Sequence, residues 1–66
     1  MQIQLNGEIF VLEEDININD FLKKLTIDKN KVAIELNKNV VPKNSYSNTV
    51  ITNKDVVEIV TFIGGG

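Results

Sequence analysis

The chain has 66 residues, of which 42% are hydrophobic and 24% are charged, and its net charge is −2. A chain of this length forms one small domain with a thin core, because it hides only about 60% of its unfolded surface. It contains no Cys, His, Trp or Arg. These absences exclude disulfides, thiolate metal sites and histidine-based nucleophilic catalysis within the chain, and an acidic balance without Arg disfavours nucleic-acid binding.

The hydropathy of the chain disfavours a membrane location. No apolar run approaches the roughly 20 residues that a membrane-spanning helix needs, and the first residues lack a basic region followed by an apolar stretch. We therefore expect a cytoplasmic protein that does not bind membranes.

The N-terminal segment predicts a β-hairpin. Residues 1–6 alternate between apolar and polar side chains, and residues 8–12 return as a second strand. Asn6-Gly7 between them favours a type I′ turn, which needs positive φ at both central residues. This two-residue loop pairs Ile3 with Phe10 and gathers the apolar side chains on one face.

A short amphipathic helix is expected next. Ile18, Phe21, Leu22 and Leu25 follow the i, i+3, i+4, i+7 spacing of a helix with one apolar face. Asn17 stands where an N-cap belongs. A helix of about two turns must pack on a sheet to persist.

The second half of the chain predicts short strands, at residues 32–36, 40–41, 50–51 and 56–62, with a turn over residues 37–39 in which Asn37 and Asn39 are turn formers. A hairpin, one helix and further strands in so short a chain indicate the α+β class, with a mixed sheet of four to five strands packed on one main helix. This is the order of a β-grasp domain. We expect that domain over residues 1–63 and a flexible glycine tail over residues 64–66.

The last predicted strand has two distinct faces. Successive side chains of a strand point to opposite sides, and an unpaired carboxylate is rarely buried. Glu58 therefore marks the open face, together with Val60 and Phe62, whereas Val57 and Ile59 face the core. Because Val60 and Phe62 are large apolar side chains beside the tail, we expect this open face to dock a partner protein.

The three closing glycines, Gly64, Gly65 and Gly66, have no Cβ and can enter a narrow channel of another protein. Extended, they reach about 10 Å at roughly 3.3 Å per residue. A carboxylate on such a flexible arm is a group that can be presented to an enzyme.

Three segments resemble the sulfur carrier family of thiamine biosynthesis (ThiS): VAIELN at residues 32–37, VVP at 40–42 and DVVEIVTFIGGG at 55–66. The resemblance implies a ubiquitin-like β-grasp fold. It also implies that a ubiquitin-activating-type (ThiF-like) adenylyltransferase uses ATP to adenylate the Gly66 carboxylate. A persulfide donor then converts the adenylate to a thiocarboxylate, and thiazole synthase (ThiG-like) takes the sulfur.

The same resemblance assigns the remaining roles. Gly64 and Gly65 would enter the active sites of the partners, while the chain itself would bind no cofactor and catalyse no reaction. Two alternatives remain open. One is a small-subunit-type sulfur carrier of molybdopterin synthase, although residues 60–63 favour thiamine. The other is a passive ubiquitin-like binding module with an inert tail.

Two other groups of side chains are expected to have no chemical role. The acidic residues 13–15 are consecutive, so they cannot converge on one metal ion or reacting atom in an extended segment, and we expect them to be solvated. Tyr46 is the one large side chain of a polar loop, and we expect it to anchor that loop on the sheet.

Overall fold

The structure is a computed structural model that describes residues 1–62. Within that range the elements follow in chain order: β1 (Gln2–Leu5), β2 (Glu8–Val11), β3 (Ile16–Asn17), α1 (Ile18–Lys24), β4 (Val32–Leu36), β5 (Asn39–Val41), β6 (Val50–Ile51) and β7 (Val56–Thr61). Short 3₁₀ turns lie at Lys29–Lys31 and Lys43–Ser45.

Five strands form the main sheet in the order β2-β1-β7-β4-β5. β1 and β7 are parallel at its centre, and the other neighbouring strands are antiparallel. This mixed sheet with one main helix confirms the α+β architecture predicted from the sequence.

The N-terminal hairpin has the predicted register. Ile3 lies opposite Phe10 and Leu5 opposite Glu8. Asn6 and Gly7 have φ values of 50° and 83°, the positive pair that a type I′ turn requires. The ammonium group of Met1 donates to the Leu12 carbonyl oxygen at 2.8 Å and closes the open end of the hairpin.

Helix α1 packs on one face of the sheet through its predicted apolar side chains. Ile18, Phe21 and Leu22 are each about 1% exposed. The Phe21 ring meets Phe10 of the hairpin edge-on, with ring centroids 5.6 Å apart. At the start of the helix, the Asn17 side-chain oxygen accepts from the Asp20 amide at 2.8 Å, which confirms the predicted N-cap.

A second, two-stranded sheet was not expected from the sequence. β3 and β6 pair antiparallel, with Ile16 opposite Ile51 and Asn17 opposite Val50. Residues 50–51 were predicted as a strand, but β3 was missed because its two residues are too few for alternation to show. The pairing makes Ile51 fully buried and fixes the start of α1.

Helix α1 ends at a left-handed residue that is not glycine. Thr26 has a φ of 60°, and its amide donates to the Lys23 carbonyl at 3.0 Å. The Ile27 amide donates to the Leu22 carbonyl at 2.9 Å. These two bonds make a Schellman motif, whose left-handed position usually holds Gly because a Cβ is unfavourable there.

Replacing Thr26 with Gly is therefore expected to stabilise the protein. Thr26→Gly removes the strained Cβ and should raise the free energy of unfolding by about 1 kcal/mol, net of the flexibility that Gly adds to the unfolded chain. Urea denaturation measures the change. Thr26→Ala is the matched control, since it keeps a Cβ and should bring no such gain; equal stability of the two variants would contradict the assignment of strain.

Candidate functional site

Strand β7 carries the residues that the sequence singles out. It lies at the centre of the sheet, between β1 and β4, and leads directly toward the glycine-rich end of the chain. The predicted tail of Gly64 and Gly65, and the predicted modification at Gly66, lie outside the described residues, as does the residue 63 boundary of the predicted domain. The candidate site is therefore built from β7 and its neighbours up to Phe62.

The two faces of β7 differ as the alternation predicts. Val57 is 1% exposed and belongs to the core, and Ile59 packs against that core. On the other face Val60 is 53% and Phe62 is 47% exposed, and Glu58 is half-buried. The predicted exposure of Val60 and Phe62 is thus confirmed, whereas the docking role of this face remains a prediction.

Neighbouring strands extend this open face. In the register of the sheet, Ala33 lies opposite Val60 and Glu35 lies opposite Glu58. Val40 of β5 lies opposite Glu35 and is 69% exposed. We call these five residues, together with Phe62, the C-terminal face: Ala33, Glu35, Val40, Glu58, Val60 and Phe62.

Sequence reasoning missed the contribution of Val40. It placed a turn over residues 37–39, whereas Asn37 and Lys38 alone have positive φ and Asn39 already lies in β5. This two-residue turn sets Leu36 opposite Asn39 and hence Glu35 opposite Val40. A turn of only two residues, both with positive φ, determines the register between β4 and β5. Predicting that turn at Asn37 and Lys38 would have placed Val40 opposite Glu35.

Two glutamates are cross-strand partners at the middle of the C-terminal face. Glu35 and Glu58 are direct cross-strand partners on neighbouring strands, and both are half-buried. Like charges that lie directly opposite each other disfavour the pairing of the two strands. The exposed Val40 and Val60 lie beside them, so the face combines apolar area with a negative centre.

An asparagine at the hairpin turn holds the middle of β7. The Asn6 side-chain oxygen accepts from the Ile59 amide at 2.7 Å, and its side-chain nitrogen donates to the Ile59 carbonyl at 3.2 Å. The Asn6 main-chain amide donates to the Val57 carbonyl at 2.9 Å. The Asn6 side chain thereby continues the ladder between β1 and β7 past the end of β1.

A second asparagine holds the start of the same strand. The Asn37 side-chain oxygen accepts from the Val56 amide at 2.8 Å, and its nitrogen donates to an Asp55 carboxylate oxygen at 3.1 Å. The other Asp55 oxygen accepts from the Thr52 amide at 2.8 Å. Asn37 was predicted only as a turn residue, so this second role was missed.

The other residues discussed in the sequence analysis, Tyr46 and residues 13–15, lie in the core and on the surface, respectively. Tyr46 is buried in the core, and burial raises the pKa of its hydroxyl above the usual 10.0. The acidic side chains of residues 13–15 are exposed. Within residues 1–62, no group of three or more acidic side chains is arranged to hold a metal ion, and no helix is long and apolar enough to cross a membrane.

Comparison with known proteins decides the family. A sequence model of the ThiS family matches residues 2–66. The chain belongs to the ThiS family. The sulfur carrier protein ThiS of Bacillus subtilis (strain 168) is 35% identical over 65 residues, a match that covers 97% of this chain and 98% of that protein.

A longer relative contains a segment similar to this chain. A protein of Paramagnetospirillum magneticum named thiazole synthase is 39% identical over 66 residues, which is all of this chain. The chain spans only 20% of the length of that thiazole synthase.

The solved structure of a ThiS protein confirms the fold. The crystal structure of the thiamine biosynthesis protein ThiS from Geobacter metallireducens superimposes with a TM-score of 0.88 and 29% sequence identity, and the match covers 100% of both chains. The predicted β-grasp arrangement is thus the fold of this ThiS-family chain.

Proposed function

We propose that this protein carries sulfur in thiamine biosynthesis, as a thiocarboxylate on Gly66. A partner enzyme adenylates the Gly66 carboxylate with ATP and releases pyrophosphate. The terminal sulfur of a persulfide donor then attacks the acyl carbon and displaces AMP, and a thiol cleaves the S–S bond of the resulting acyl disulfide, which leaves the thiocarboxylate on Gly66 and a disulfide on the donor side. Thiazole synthase receives the sulfur. In this proposal the protein is a co-substrate and not an enzyme, and it binds no cofactor of its own.

The observation that supports the proposal is the position of β7, which lies at the centre of the sheet and leads toward the glycines, in a chain of the ThiS family. The strand is held on both sides, exposes Val60 and Phe62 on one face, and leads into Gly64, Gly65 and Gly66. An anchored strand followed by residues without Cβ atoms is suited to guiding a chain end into a narrow active site. The match to a thiazole synthase supports that enzyme as the sulfur acceptor.

The charge of the C-terminal face indicates how the activating enzyme is recognised. The apposed carboxylates of Glu35 and Glu58 are unfavourable in the free protein, because like charges are direct cross-strand neighbours. A cationic side chain of the enzyme placed between them would relieve that repulsion, while Val60 and Phe62 supply apolar contact area. We expect the adenylyltransferase to be of the ThiF type and the reaction to occur in the cytoplasm, since it consumes ATP.

Two other functions lead to different observations. A sulfur carrier for molybdopterin synthesis would accept sulfur at Gly66 but would pass it to a different synthase. A passive ubiquitin-like module would dock through the same face and leave Gly66 unmodified. The relatives named ThiS and thiazole synthase favour the thiamine pathway over both.

Sulfur loading is the direct test of the proposed function. Incubating the protein with a purified ThiF-type enzyme, ATP and a sulfide source should shift its intact mass by one oxygen-to-sulfur exchange. Omitting ATP should abolish the shift. Adding one Ala after Gly66 is the matched control, because the fold is unchanged but the terminal glycine is no longer available. Equal loading of the extended protein, or none of the original, would contradict the proposal.

Docking through the C-terminal face predicts a second effect on loading. Phe62→Asp and Val60→Asp should fold, because both side chains are about half exposed, but each should lower kcat/KM for adenylation about tenfold or more. Pyrophosphate release measures the rate, and urea denaturation checks the fold.

Val11→Asp is the control for this experiment. Val11 lies on the same side of the sheet and is 66% exposed, but it belongs to the edge strand β2, far from the C-terminal end of β7. It should be adenylated at the normal rate. If Val11→Asp is as slow as Phe62→Asp, the effect comes from added charge and not from the C-terminal face.

A further inference from the structure

The hydrogen bonds of β7 alternate between its two neighbours. The Asn37 amide donates to the Val56 carbonyl at 2.7 Å, and the Phe62 amide donates to the Lys31 carbonyl at 2.9 Å. Since antiparallel strands bond through every second residue, the even-numbered residues of β7 face the β4 side. The odd-numbered residues face the β1 side, as the bond from the Asn6 amide to the Val57 carbonyl shows.

On the β1 side the pairing ends before β7 does. β1 ends at Leu5, and the chain turns back at Asn6 and Gly7. The side chain of Asn6 supplies both bonds that Ile59 would otherwise receive from a continuing strand. The next odd-numbered residue is Thr61. Among residues 1–62 neither its amide nor its carbonyl has a hydrogen-bond partner on that side.

The free edge at Thr61 is accessible. Thr61 is exposed, and its neighbours Val60 and Phe62 are 53% and 47% exposed. Beside the hairpin turn, a Cβ added to Gly7 would contact no atom within 4 Å. A short stretch of strand edge is thus open next to the turn, which is the condition for adding a strand from another protein.

The position of this edge indicates what occupies it. Gly66 lies five residues after Thr61 in the sequence, a span of at most about 17 Å for an extended chain. Any enzyme that acts on the Gly66 carboxylate must therefore contact the protein close to Thr61. An extended segment at the entrance of its active site would meet β7 before it meets the glycines.

We propose that the enzyme that activates Gly66 adds an extended segment of its own to the free edge of β7, and that this segment bonds to the Thr61 amide and carbonyl. The added strand takes the place that β1 leaves empty after Asn6. It aligns the following residues with the active site through main-chain bonds, which are independent of side-chain identity. This inference rests on the proposed function, since it names how the activating enzyme binds.

Amide hydrogen exchange tests the added strand. In the free protein the Thr61 amide should exchange rapidly, whereas the Ile59 and Phe62 amides should be protected by Asn6 and Lys31. Binding of a purified ThiF-type enzyme, with ATP omitted, should slow exchange at Thr61 at least about tenfold. Unchanged exchange at Thr61 in the bound protein would overturn the proposal.

A single-atom change at Thr61 provides an independent test. Total chemical synthesis can replace Thr61 by its α-hydroxy acid, so that an ester oxygen stands where the amide N–H was. The ester should raise KM for adenylation about 3- to 10-fold, the loss of one main-chain hydrogen bond. It should lower the free energy of unfolding only slightly, because it weakens the Val60 carbonyl as an acceptor on the β4 side but removes no hydrogen bond of the fold. The same replacement at Phe62 is a control for stability and not for KM, because it also weakens the Thr61 carbonyl as an acceptor. It removes the bond to Lys31 and should destabilise the fold more than the Thr61 ester does.

The outcomes separate this inference from the proposed function. If the unmodified protein is never loaded with sulfur, the proposed function itself is wrong. If loading is normal and the Thr61 ester has the KM of the unmodified protein, the sulfur carrier function stands and the added strand is wrong.

Discussion

The pairing of β7 with strands on both sides is the constraint on which the site depends. β7, the last strand among the described residues, is placed at the centre of the sheet, parallel to β1 and antiparallel to β4. Two asparagine side chains, from Asn6 and Asn37, complete its hydrogen bonds where neighbouring main chain is lacking. The residues just before the glycines are therefore fixed to the core, although they lie near the end of the sequence.

The same arrangement gives the two faces of β7 different roles. Val57 faces the core and stabilises the fold, whereas Val60 and Phe62 stay on the surface at a cost in exposed apolar area. The pairing of Glu35 with Glu58 places like charges on neighbouring strands of that surface, which disfavours their pairing. Exposed apolar side chains and paired like charges lower the stability of the free protein. In the proposed function, the same surface provides a docking site next to the chain end.

Much of this architecture could be predicted from local patterns. Asn6-Gly7 determined the hairpin register, the spacing of Ile18, Phe21 and Leu22 located the helix, and Glu58 separated the faces of β7. In each case the signal lies within a few residues and acts through turn geometry or alternation.

The features that were missed depend on contacts between distant segments. The pairing of Ile16 with Ile51 joins two strands too short to show alternation, and Val40 reaches the C-terminal face only through the register of its turn. The bonds from Asn6 to Ile59 join residues 53 positions apart. The tail over residues 64–66 stays a prediction from composition and from the family resemblance, since these residues lie outside the described range.

The modification state of the protein in living cells tests the central claim most directly. The protein would be purified without added enzymes from cells grown without thiamine, and its intact mass and that of its C-terminal peptide would be measured. We expect that a fraction of the protein carries one sulfur in place of oxygen at Gly66, and that this fraction disappears in cells lacking the activating enzyme. An unmodified carboxylate in every molecule, in cells that are making thiamine, would contradict it.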